Sequence, residues 1–85
     1  MHPTDPQVTA EFTTEPFHGE GEPPAHAVAA RDRLRAAGLE PDFGPLGTSV
    51  SGPRGSVLPA LSAVVDAALE AGAHRITLQV TVDGS

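Results

Sequence analysis

Cysteine, lysine, asparagine, tryptophan and tyrosine are all missing from this 85-residue chain. Without cysteine there can be no disulfide, no thiolate zinc site and no thiol nucleophile. Without lysine, only five arginines stand against eleven carboxylates, and the formal charge is −6. Nucleic acid and anionic membrane surfaces are bound mainly through basic side chains, so both are excluded as natural partners. Three phenylalanines are the only aromatics, too few for a platform on which bases would stack. No apolar run approaches the roughly 20 residues a bilayer span requires. The opening MHPTDPQ has neither a basic nor an apolar region of the kind that directs secretion. The expectation is a cytoplasmic protein with no membrane partner. A chain this short buries only about 60–65% of its unfolded surface, so association with further copies is an ordinary way to add buried area.

Two segments alternate with period two. In QVTAEFTTEPF, residues 7–17, Val8, Ala10 and Phe12 fall on one side, and Thr9, Glu11, Thr13 and Glu15 on the other. In HRITLQVTVDGS, Ile76, Leu78, Val80 and Val82 share a side, opposite Thr77, Gln79, Thr81 and Asp83. Both read as half-buried strands, the first ended by Pro16. PAHAVAARDRLRAA, residues 24–37, reads as a helix with Ala27, Ala30 and Leu34 on its stripe; proline suits its first turn and Gly38 its end. SVLPALSAVVDAALEAG reads as a second helix, with Ser56 as its cap, Pro59 in the first turn and a stripe of Leu58, Leu61, Val65, Ala68 and Leu69. Between the helices, DFGPLGTSVSGPRGS carries four glycines and two prolines, a composition that suits two short strands reversing near PLGT and then a helix entry.

The order strand, helix, strand, strand, helix, strand predicts a ferredoxin-like βαββαβ sandwich of the α+β class. It has a four-stranded antiparallel sheet with both helices on one face. Residues 1–7 are expected to form a flexible tail and residues 8–83 a single domain. In this arrangement the helices cover the Val8, Ala10, Phe12, Leu78, Val80 and Val82 face. The face carrying Glu11, Thr13, Glu15, Gln79 and Thr81 stays bare, open to water or to another subunit.

Several activities known on such scaffolds fail on composition: a Cys-x-x-Cys metal carrier lacks its thiols, and an acylphosphatase-type site lacks its asparagine. No G-x-S-x-G elbow supports a nucleophilic serine. HGEGEPPAH could gather His18, Glu20, Glu22 and His26 around a metal, but Gly- and Pro-rich spacing fixes no geometry, and a solvated loop accounts for it as well. SGPRGS could form an anion nest with Arg54, yet it lacks P-loop spacing and reads as a turn. Glu11 and Glu15 share a strand face but lie about 13 Å apart at about 3.3 Å per residue, too far for a close acid–base pair. No catalytic and no metal-ligating residue is assigned.

Three stretches carry a resemblance. AEFTTEP matches a first-strand pattern A-E-[apolar]-[ST]-x-x-P, PLGTSVSG a hairpin pattern P-[ML]-G-T-x-x-[ES]-G, and GAHRI a strand entry G-[AC]-x-R-[apolar]. In that order, over residues 8–83, they resemble the small thiamine-binding proteins of the YkoF-like group. The resemblance implies a ferredoxin-like fold, a homodimer or homotetramer, and non-catalytic binding of thiamine or its pyrimidine moiety, with no cofactor beyond that ligand. The positions that match are Glu11, Thr13, Pro16, Leu46, Gly47, Thr48, Gly52, Gly72 and Arg75. Of these, Glu11, Thr13 and Thr48 are the candidate ligand contacts, because hydroxyls and a carboxylate pair with an aminopyrimidine and carboxylates offset a thiazolium charge. Arg75 equally suits bonding of carbonyls at the end of the second helix. Phe12, Phe17 and Phe43 are the rings available for stacking. The final strand lacks the lysine usual in the group, and Ser51 stands where many members have glutamate. The alternative is a structural or regulatory oligomer, an effector sensor of the ACT type, without thiamine binding.

Overall fold

A computed structural model of the protein describes residues 6–16, 21–44 and 47–83. Six elements follow one another: β1 (Gln7–Glu15), α1 (Ala25–Ala36), β2 (Asp42–Gly44), β3 (Gly47–Pro53), α2 (Arg54–Glu70) and β4 (Arg75–Val82). The strands form one antiparallel sheet in the order β2-β3-β1-β4. With two helices packed against it, this is the α+β ferredoxin-like arrangement that the alternating patterns predict. β1 begins at Gln7, one residue inside the expected tail. The candidate stacking ring Phe17, the loop residues His18 and Glu20, and the motif residue Leu46 lie outside the described residues.

Alternation in β1 buries Val8, Ala10, Phe12 and Thr14 beneath the helices. Val50 and Gly52 of β3 join them, in register with Ala10 and Val8. Ala30 and Leu34 of α1 and Val57, Leu61, Val64 and Ala68 of α2 close the core from the other side. α1 ends at Ala36, and Gly38, just past its C-cap Ala37, has a φ of 82°, a conformation that side chains rarely adopt.

Three local expectations are corrected. α2 starts at Arg54 directly after Pro53 and has no side-chain cap, so Ser56 lies inside the helix and Pro59 in its second turn. Proline's fixed φ lets Pro53 end β3 and open the helix without a polar cap. The buried face of α2 is Val57, Ala60, Leu61, Val64, Ala67 and Ala68, while Leu58 and Leu69 are 44% and 51% exposed. The sequence is apolar on several faces, and packing against β1 and β3 selects the face one residue away from the leucine-rich one. In α1, likewise, His26 rather than Ala27 is buried beside Ala30 and Leu34.

The third correction concerns β4. Leu78, Val80 and Val82 share the helix side with Phe12, Ala10 and Val8, their register partners, but remain 38%, 43% and 62% exposed. β4 is the outer strand, and the helices pack over β1 and β3. Only Ile76 packs against the core.

Candidate functional site

The face without helices carries a hollow of about 400 Å³. Its geometry follows from register. Asp42 pairs with Ser49, Ser49 with Glu11 and Glu11 with Gln79, so these four side chains form one row across all four strands. The neighbouring row contains Thr13 opposite Thr77, and Gly44 opposite Gly47. Two glycines facing each other leave that corner of the sheet bare of side chains, which is why a depression forms there. Gly47 is required by close approach: a Cβ on it would lie 3.0 Å from the Phe12 carbonyl oxygen and 3.2 Å from Thr13 Cγ2. Thus the glycines of the hairpin shape the hollow rather than contribute a phosphate loop.

Glu11 and Thr13 both line this hollow. Thr48 borders it too, but it is buried, and strand alternation turns it to the helix side with its partner Phe12. Asp42, Ser49, Thr77 and Gln79 complete the polar lining. Sequence patterns alone did not single them out as contacts, because only the pairing of β2 with β3 and of β4 with β1 brings them beside Glu11. Asp42 and Glu11 sit two strands apart, about 10 Å at strand spacings of 4.7–4.9 Å. They flank the Ser49 hydroxyl, with the Gln79 amide beyond Glu11, and no lining residue is cationic.

Around the hollow, other polar groups are already committed. Arg75 Nε lies 3.4 Å from Glu15 Oε1 in an exposed ion pair, which replaces the expected contact of Arg75 with the end of α2. The Thr9 hydroxyl donates to the Asp83 carboxylate at 2.8–2.9 Å and lies 2.8 Å from Ser51 Oγ. Because Thr9 has one proton to give, Ser51 is the donor in the second bond. Of the candidate stacking rings, Phe12 is in the core. Phe43 pairs with Thr48 on the helix side and lies 5.0 Å below the Arg31 guanidinium. Phe17 lies outside the described residues.

Of the candidate metal residues in 18–26, His26 falls within the helix expected over residues 24–37. That residue belongs to α1, is 4% exposed and bonds Thr14 Oγ1 through Nδ1 at 2.7 Å. Among the described residues, no group of three or more His, Asp or Glu side chains could hold a metal ion. No helix among them is long and apolar enough to cross a membrane.

Several solved structures share this architecture. A domain of unknown function (DUF77) from Bacillus cereus superposes with a TM-score of 0.68 at 18% identity, covering 95% of this chain and 78% of its own. A hypothetical protein from Methanocaldococcus jannascii gives 0.66 at 19% identity, over 93% and 80% of the two chains. A protein provisionally assigned to thiamine biosynthesis or salvage, from Thermotoga maritima, gives 0.66 at 21% identity, over 94% and 85%. At these identities the likeness speaks for the fold. No curated protein matches the chain. The family model described as thiamine-binding protein matches residues 10–84, and the chain therefore belongs to the thiamine-binding protein family.

Proposed function

We propose that this protein binds thiamine, or a compound sharing its aminopyrimidine, in the open-face hollow and performs no chemistry on it. The observation that carries the reading is the Asp42–Ser49–Glu11–Gln79 row in a member of the thiamine-binding family. Thiamine combines an aminopyrimidine, which needs hydrogen-bond acceptors and donors, with a cationic thiazolium ring. Ser49, Thr13, Thr77 and Gln79 supply hydroxyl and amide partners, and Glu11 and Asp42 supply negative charge on either side of Ser49. A volume near 400 Å³ lies within the roughly 300–1,000 Å³ range of small-molecule sites. The separation of Glu11 from Asp42, and the engagement of Glu15 with Arg75, leave no close carboxylate pair for acid–base catalysis in the hollow.

Calorimetric titration with thiamine and with the free aminopyrimidine tests the reading. Saturable micromolar binding of thiamine, near −8 kcal/mol, is expected. Glu11→Gln and Asp42→Asn should each weaken it several-fold without changing the far-ultraviolet circular dichroism. Absence of heat with either compound, from folded protein at high concentration, rejects the ligand and leaves a structural or regulatory oligomer of the effector-sensing type.

A further inference from the structure

The two glycines at the bare corner of the hollow are there for different reasons. Gly47 is fixed by close approach, since a Cβ on it would press on the Phe12 carbonyl oxygen at 3.0 Å. Gly44 has no such constraint. Its φ is not positive, and a Cβ on it would meet, among the described residues, only the Gly47 carbonyl oxygen at 3.5 Å, an ordinary contact. Glycine is also a poor strand residue, because it loses more backbone freedom on folding than any other and packs no side chain. In the three-residue strand β2, alanine would serve the fold as well or better. What the missing side chain provides is space: register puts Gly44 on the open face, where it lines the hollow.

The chemistry around that space differs from the chemistry one row away. Asp42 and Ser49 lie two residues along β2 and β3, about 6.6 Å at 3.3 Å per residue. Their row holds the carboxylates of Asp42 and Glu11. The row of Gly44 and Gly47 continues into Thr13 and Thr77 and carries no charge. Thr13 stands directly beside the corner, its Cγ2 3.2 Å from where a Cβ on Gly47 would be. Among the described residues no aromatic side chain shares this face, because Phe12 and Phe43 turn to the helix side. A ring entering the corner therefore lies on peptide groups with threonine hydroxyls near its edge. A side chain at position 44 would stand in its way.

We infer that Gly44 is the specificity-determining residue of the hollow, its missing side chain making the seat for an uncharged planar ring. The aminopyrimidine occupies the Gly44–Gly47 corner, and the cationic thiazolium ring is left to the Asp42–Ser49–Glu11 row. This assignment rests on the thiamine binding proposed above and divides the two rings of that ligand between the two rows. Position 44 then sets the size limit at the uncharged end.

Titration of full-length Gly44→Ala and Gly44→Val with thiamine and with the free aminopyrimidine tests it. Gly44→Ala should melt no lower than the wild type, which separates lost binding from lost fold. Both compounds should weaken by about tenfold in Gly44→Ala, the low end of what one carbon costs in a fitted pocket, and further in Gly44→Val. Asp42→Asn should weaken thiamine and leave the aminopyrimidine nearly unchanged. Thr81→Leu adds bulk on the same face outside the hollow and should change neither. If the wild type binds thiamine and Gly44→Val binds it equally well, the inference falls and the binding itself stands. It falls likewise if Thr81→Leu costs as much, or if the aminopyrimidine fails to bind the wild type. An aminopyrimidine indifferent to Gly44→Val, or as sensitive to Asp42→Asn as thiamine is, puts the rings the other way round and also overturns it. Wild-type protein that binds neither compound removes the proposed function and this inference together.

Discussion

At the scale of single residues, His26 is a buried polar group held by one hydrogen bond. Its Nδ1 shares a 2.7 Å hydrogen bond with Thr14 Oγ1, both residues are buried, and Nε2 has no partner. A neutral imidazole has one N–H, and a buried N–H without an acceptor is rarer in proteins than a buried acceptor without a donor. The favoured tautomer therefore donates from Nδ1 to Thr14 and leaves Nε2 as the bare acceptor. Replacing Thr14 by Val removes the acceptor and strands that donor, which costs about 1–3 kcal/mol. Replacing His26 by Leu in the same chain removes both polar nitrogens at once, so the double variant Thr14→Val, His26→Leu should be no less stable than Thr14→Val alone. Urea denaturation of the two variants checks this; a Thr14→Val protein as stable as the wild type would mean that the bond contributes nothing. Sequence could not disclose this pair. His26 sits among Gly, Pro and Glu residues that look solvated, and only the packing of α1 on β1 turns it inward. Glu11 and Thr13 were legible because alternation assigns their face directly. Thr48, by the same alternation, belongs to the other face, and its phase was hidden by the glycines around it.

At the level of elements, the two alternating strands could be read without coordinates, because period two is stringent over eight or nine residues and the threonines reinforce it. α2 was legible as a helix but not in its orientation. VLPALSAVVDAAL offers two apolar stripes one residue apart, and the choice belongs to the sheet beneath. Leu61→Ala should therefore cost about 2–5 kcal/mol, the usual range for deleting a buried leucine side chain. Leu58→Ala, one turn away and partly exposed, should stay within about 0.5 kcal/mol. Total stability of an 85-residue domain is about 4–13 kcal/mol at 0.05–0.15 kcal/mol per residue, so the first change is a large fraction of the whole. Thermal or urea melts in parallel decide it, and equal costs at the two positions would place the leucine-rich stripe in the core after all. The position of β4 at the sheet margin was hidden for a related reason: alternation tells which residues share a face, never whether a helix lies above them.

For the whole molecule, charge is the property that tests the proposed binding of thiamine in the hollow. The chain carries a formal −6, and the hollow is lined by Glu11 and Asp42 with no arginine among its walls. The nearest cation on that face, Arg75, is held beside Glu15. A phosphate group entering the hollow would find neither a guanidinium nor a helix N-terminus, the usual partners of bound phosphate, and would meet two carboxylates. Affinity should therefore fall in the order thiamine, thiamine monophosphate, thiamine diphosphate, with each added phosphate weakening binding. The screening length is about 8 Å at physiological ionic strength, so raising salt should weaken thiamine itself while leaving the uncharged aminopyrimidine nearly unaffected. Titrations of the three thiamine forms at low and high salt read both effects together. Tighter binding of the diphosphate would require a cationic subsite that these walls do not contain, and it would move the site away from the Glu11–Asp42 row.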